Sequence, residues 1–277
     1  LNNSGSKSEG WQQYYGSLTA KNIAGLNDIF NAYYSWNDLK NNNDKQDSWS
    51  FSYSVPLGYW GFDTSYYKSE YEKGIDGGFG IYDSDGTSER ASLRISRMLM
   101  RGATGKTSAW MKVERRDYLK YNGIASWTRP LAKFGRLGMT YELNSGFQYT
   151  PDVLVSDAKV TIGDEYTVRG FKDDNVMSDS GAWIANSLQF PFDIGLAGIY
   201  QLTPYIGYDV GFTKDNCPKG VNVCDSQFMM GASVGVKATG SHFSSYVMAG
   251  WPVKKPDSME EETVDNTVVY YKTEINF

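Results

Sequence analysis

An all-β, transmembrane antiparallel β-barrel is the fold class this sequence predicts, on three observations. First, the 277-residue chain alternates apolar and polar residues along most of its length, most plainly in Ser48-Trp49-Ser50-Phe51-Ser52-Tyr53-Ser54-Val55. Alternation with period 2 is a strand signal, because successive side chains point to opposite faces. Second, aromatic residues reach 15%, with 21 Tyr and 8 Trp, although only 40% of residues are hydrophobic and mean hydropathy is -0.49. Third, no run of about 18 apolar residues is present to form a transmembrane helix. A barrel satisfies all three: each strand offers lipid only alternate side chains, the lumen stays polar, and Tyr and Trp gather at the interfaces.

Alternation alone also fits a soluble β-sandwich with its aromatics in a core. Further stripes along the chain favour the barrel. Tyr14, Leu18 and Ala20 form the first, then Phe30, Ala32, Tyr34 and Trp36, then Trp60, Phe62 and Tyr66. Ala91, Leu93 and Ile95 have Arg90, Ser92 and Arg94 opposite, and Ala109, Met111 and Val113 have Lys112, Glu114 and Arg116 opposite. Charges confined to one face point to a wet lumen, since an Arg or Lys facing lipid at the midplane costs about 2–4 kcal/mol.

The connections divide into short turns, such as Leu57-Gly58, and longer polar loops, Lys40 to Asp47 and Asp83 to Glu89. Within the latter, Asp83-Ser84-Asp85-Gly86 reads as an Asp-Gly hairpin turn, because the remaining ligands of a calcium loop are missing. Between Tyr121 and Tyr149 stripes and turn signals disagree, leaving two or three strands. Beyond Phe171, strands are expected around Trp183 to Phe192, Ile199 to Phe212, Phe228 to Ala238, Phe243 to Trp251 and Thr267 to Phe277. The total comes to fourteen to sixteen, and bacterial barrels favour even numbers.

A net charge of -5 and a pI near 5.1 argue against a nucleic-acid partner, which needs clustered Lys and Arg. Cys217 and Cys224 sit in a polar loop between strand-like segments, where an extracytoplasmic disulfide is the natural reading. A metal pair would need further ligands, and no His or third Cys lies nearby. The sole histidine, His242, stands at a strand entrance, where a solvated role fits; order alone leaves a Ser-His arrangement open. No enzyme activity, metal or cofactor is expected. Leu1 opens no signal peptide although such a protein must be exported, so the chain reads as a mature or truncated product.

One stretch breaks the alternation: Thr161-Ile162-Gly163-Asp164-Glu165-Tyr166-Thr167-Val168-Arg169-Gly170-Phe171. A cation beside a glycine in a segment without period suits a loop that folds into a confined interior and meets an anion there. Further on, in Gly207-Tyr208-Asp209-Val210-Gly211, Asp209 shares a face with Gly207 and Gly211, and those glycines leave room for close approach.

Val168-Arg169-Gly170-Phe171 resembles the motif of the Omp85 superfamily, and the run from Ile162 resembles the two-partner secretion transporters (TpsB) in particular. The Gly207 to Gly211 segment fits that family's G-x-D-x-G strand, Asn3-Ser4-Gly5-Ser6 resembles its entry into the first strand, and Tyr53 to Trp60 resembles its early hairpin. The resemblance implies one barrel domain over residues 1–277, of 16 strands. It also implies an extracellular loop, about residues 157–181, tucked into the lumen so that Arg169 meets Asp209. An alternating last strand, with Val269, Tyr271, Thr273, Ile275 and Phe277 on one face, resembles the signal read by the barrel-assembly machinery. The family's POTRA domains and plug helix are absent from this sequence. Two departures stand out: Asp164 replaces a common glycine, and the segment between Tyr118 and Gln148 is short for the strands the family places there. The implied function is a monomeric outer-membrane pore that passes a large unfolded TpsA-type exoprotein to the cell surface, its other partners being lipid and the assembly machinery. A passive porin and a barrel-assembly factor are the alternatives.

Overall fold

The computed structural model describes residues 12–38, 45–76, 81–102, 105–172, 174–196, 198–217, 224–259 and 266–275. They fall into two compact units, Leu1–Arg97 with Met111–Leu119, and Met98–Trp110 with Lys120–Phe277. Asn3 to Ser6 and Phe277 lie outside the described residues.

In the first unit β1 (Gln12–Lys21), β2 (Ile29–Asp38), β3 (Lys45–Leu57), β4 (Trp60–Asp76) and β5 (Ile81–Gly102) pair in sequence order, each antiparallel to the next. The register sets like beside like. Ala32, Phe51, Tyr66 and Ala91 make one row on one face, and Asn31, Ser52, Ser65 and Ser92 make a row on the other. The second row is stitched by side-chain hydrogen bonds from Asn31 to Ser52 and between Ser65 and Ser92. On the apolar face Trp49 and Phe51 remain 44% and 39% exposed, and among the described residues no second sheet covers them, which disfavours the sandwich alternative. From Trp49 to Leu57 that face runs about 27 Å along the strand at about 3.4 Å per residue. With the usual 35–45° tilt this is about 19–22 Å of height, close to the ~25 Å apolar band of a membrane barrel.

Tight turns follow the expected chemistry. Gly58 takes φ +62°, the left-handed region open to glycine, between β3 and β4. The Asp28 carboxylate accepts the Ala24 and Leu26 amides and closes the turn before β2. One expectation fails: Asp83 to Glu89 is neither a loop nor a hairpin turn but part of β5, paired residue by residue with β4. Gly86 lies opposite Tyr71, whose ring covers it at 2.5 Å from where a Cβ would stand, so packing holds an Asp-Gly pair that local propensity would turn. Lys45 to Asp47 likewise belong to β3.

β6 (Gly105–Arg115), like β5, contributes residues to both units. The second unit adds β7 (Leu119–Phe134), β8 (Leu137–Tyr149), β9 (Val160–Ile162), β10 (Val176–Ser178), β11 (Ser180–Gln189) and β12 (Phe192–Leu196). β13 (Ile199–Lys214), β14 (Ser226–Gly240), β15 (Phe243–Lys254) and β16 (Val268–Ile275) follow. Tyr121 to Tyr149 therefore holds two strands. The wall runs β7-β8-β11-β13-β14-β15-β16. The strand expected through Phe192 is broken at Phe190-Pro191, where Pro191 has no N–H to give the ladder; β12 resumes between the same neighbours, β8 and β13. Among the described residues β9 and β10 pair only with each other, and the other fourteen strands belong to the walls.

Here too the register sorts side chains. Leu188, Ile206, Val234, Ala249 and Val269 form an outward row, and Ala185, Asp209, Gly231 and Pro252 a row on the other face. The buried apolar cluster Ile162, Val168, Phe171 and Met229 lies on that second face, where the long connection between β8 and β11 packs.

Candidate functional site

That connection runs from Thr150 to Asp179, starting earlier than the expected 157–181, and β9 and β10 give it a short antiparallel base. Asp164, the departure from the family's glycine, sews its opening turn together. Its Oδ1 accepts the Tyr166 and Thr167 amides and the Thr167 hydroxyl, and that hydroxyl oxygen accepts the Gly163 amide.

Val168, Arg169, Gly170 and Phe171 are all buried against the wall. The Arg169 Nε donates to Asp209 Oδ2 at 2.6 Å, Nη2 donates to Oδ1, and the Arg169 amide donates to Oδ2 at 3.1 Å. Of the three remaining guanidinium protons, one on Nη1 goes to Ser187 Oγ at 3.1 Å and one on Nη2 to the Asn186 carbonyl at 2.7 Å. With side chains 7% and 0% exposed, the pair is dry. A paired, fork-shaped contact of this kind fixes direction as well as energy.

Glycines make the approach possible. A Cβ on Gly207 would stand 2.2 Å from Arg169 Nη2, and one on Gly211 2.8 Å from Val168. Gly231 and Gly250, absent from the sequence-based expectations, complete the floor on the next two strands. A Gly231 Cβ would lie 1.8 Å from the Arg169 carbonyl oxygen, and one on Gly250 3.0 Å from the Gly170 amide. Gly170 itself takes φ +105° where its backbone crosses Trp251. The legible signal for Gly231 is its spacing from Gly235 on one strand face; Ser187 and the Asn186 carbonyl have none.

A second fastening was also missed: Tyr246 on β15 donates to the Glu165 carboxylate. The Tyr166 phenol beside it is held above its ordinary pKa by its hydrogen bond to Glu165 and by that carboxylate's charge. Between loop and wall a cleft of about 490 Å³ remains, lined by Glu142, Glu165, Tyr166, Arg169, Trp183, Tyr205, Lys237 and Tyr246 among others.

Cys217 and Cys224 are joined, Cα atoms 5.3 Å apart. His242 is exposed in the turn between β14 and β15. Among the described residues no group of three or more His, Cys, Asp or Glu is placed to hold a metal ion.

The chain as a whole is similar to several known proteins. The outer membrane transporter CdiB-2 of Burkholderia pseudomallei is 26% identical over 92% of this chain and 54% of its own length, so the chain spans about half of that relative. The structure of CdiB from Escherichia coli superposes with a TM-score of 0.53 at 21% identity, covering 98% of this chain and 60% of that one. BamA from Haemophilus ducreyi lacking POTRA domains 1-3 gives 0.57 at 11% identity, covering 94% and 62%. Both likenesses bear out the fold class, an antiparallel outer-membrane β-barrel. The sequence profile of the haemolysin secretion/activation proteins ShlB/FhaC/HecB matches residues 1–121 and 115–238, two segments that meet where the chain reads short for the strands expected there. The chain belongs to the ShlB/FhaC/HecB haemolysin secretion/activation family.

Proposed function

We propose that this chain is the barrel of a two-partner secretion transporter, which passes a large unfolded TpsA-type exoprotein from periplasm to cell surface without ATP. The face carrying Asp209 is then the lumen, the row through Ile206 and Val234 meets lipid, and the loop from Thr150 to Asp179 folds inward from the extracellular side. The observation that carries the reading is the Arg169–Asp209 pair on its glycine floor. Composition would allow a porin, but a buried guanidinium held by a carboxylate, a hydroxyl and a carbonyl is a built latch. A polar lumen lets an extended chain stay hydrogen-bonded to water while it moves.

The latch holds the loop in its working position and performs no covalent chemistry; the protein is a transporter rather than an enzyme. It is a single barrel domain across residues 1–277, a monomer in outer-membrane lipid, delivered by the barrel-assembly machinery. No nucleic acid, metal or cofactor takes part. The test is secretion of the exoprotein and single-channel conductance with Arg169→Ala in the full-length protein. Loss of secretion with altered gating supports the reading; wild-type secretion with the loop unmoved overturns it. The likeness to BamA favours one second reading, insertion of other barrels, and depletion of the protein distinguishes it: outer-membrane proteins at large would then fall, not one exoprotein.

A further inference from the structure

The loop is fastened at its root as well as at its tip. Asp179, fully buried, ends the connection, and its two carboxylate oxygens are committed to different segments. Oδ1 accepts the Leu154 amide at 2.8 Å, on the outgoing limb, and Oδ2 accepts the Asn216 amide at 2.8 Å, on the connection from β13 to β14. The Asp179 amide donates to Asp215 Oδ1 at 3.1 Å, and Lys159 reaches both carboxylates, at 2.9 Å from Asp215 and 3.6 Å from Asp179. Asn216 returns the contact: its Nδ2 donates to the Thr150 and Asp152 carbonyls at 2.9 and 2.8 Å. Both limbs of the loop are thus tied to residues 215 and 216, and the next residue is Cys217, half of the disulfide.

We infer that Asp179 is a positioning residue for the Arg169 loop, and that the Cys217–Cys224 disulfide acts on that loop through Asn216, so that opening the disulfide loosens the loop's hold on Asp209. The physical reason is conformational restriction. The disulfide joins Cys217 to Cys224, and just outside it the Asp215 amide donates to the Asp225 carbonyl at 2.9 Å, so Asn216 is held between two ties and its three hydrogen bonds cost less ordering. Freed, Asn216 leaves a buried carboxylate oxygen short of a donor, an expensive state that is relieved by moving the limb. The inference rests on the reading of the loop as the working element, and adds a covalently braced fastening at its root.

The test uses the full-length transporter in outer-membrane vesicles, with Val168→Cys as reporter, since Val168 is the fully buried loop residue next to Arg169. Its labelling rate by a maleimide reports how often the loop lifts. Cys217→Ser/Cys224→Ser, Asn216→Ala and Asp179→Ala are each expected to raise that rate about tenfold or more, with Asp179→Asn, which keeps one acceptor, in between. The temperature at which the barrel unfolds on a gel should not move, which separates positioning from a general loss of stability. Unchanged labelling in the double serine variant and in Asn216→Ala overturns the inference. Faster labelling with wild-type secretion leaves the inference standing and removes the loop from the proposed function.

Discussion

Removing the Arg169 guanidinium is the sharpest perturbation the structure offers. In Arg169→Ala the Asp209 carboxylate, fully buried, loses two charge-assisted hydrogen bonds and keeps only the amides of residues 169 and 186. Ser187 Oγ and the Asn186 carbonyl lose their donor as well. Breaking a buried pair by deleting one partner costs about 3–5 kcal/mol, because the survivor is an uncompensated charge. At about 1.4 kcal/mol per factor of ten, the lifted state of the loop gains about two to three and a half orders of magnitude. Labelling of Val168→Cys tracks that equilibrium when lifting is fast compared with reaction, so the rate should climb by the same factor. Asp209→Ala should do the same, and the double variant Arg169→Ala/Asp209→Ala should be less severe than the sum, since neither charge is then stranded. A labelling rate within about threefold of the parent, where one decade is already 1.4 kcal/mol, would falsify the dry-latch account.

The remaining expectations test other parts of the same site and wall. Gly231→Ala puts a methyl into the Arg169 carbonyl, which as backbone cannot rotate away, so labelling rises, while Gly16→Ala, with nothing within 4 Å of its Cβ, leaves it unchanged. Tyr246→Phe removes the donor to Glu165 and should loosen the loop by about one to two decades, the worth of a hydrogen bond to a charged group. Phe51→Arg should destabilise the protein folded in vesicles, by up to about 2–4 kcal/mol, whereas Ser50→Arg on the opposite face should not. Lys159 is held above its ordinary pKa by its hydrogen bond to Asp215, with the Asp179 charge adding to it. A raised folded pKa contributes stability that is complete below the unfolded pKa, about 10.4, and is lost as pH climbs through the folded one. Spin-label distances from loop to wall should stay constant up to about pH 10 and lengthen above it, and Lys159→Met should abolish that dependence.

The strands and their two faces were legible because lipid imposes a period on the chain. Ser48 to Val55, the stripes through Phe30 and Leu93, and the last strand through Ile275 all lie where alternation put them. Alternation failed where a local signal competed with pairing, as at Asp85-Gly86, which the ladder to β4, with the Tyr71 ring over Gly86, holds extended. The meeting of Arg169 with Asp209 was readable through the family motif, not through periodicity.

By itself, then, the sequence determined which side chains face outward, where the wall is interrupted by one non-periodic stretch, and which cation that stretch carries. Only the tertiary structure decided that Gly231 and Gly250 lie beneath Arg169, that Ser187 and the Asn186 carbonyl complete its shell, and that Asp179 joins the loop to the disulfide-bearing connection. These are contacts between segments distant along the chain. Their partners are set by the register of neighbouring strands and by how closely a loop can approach bare backbone, and neither leaves a period in the chain.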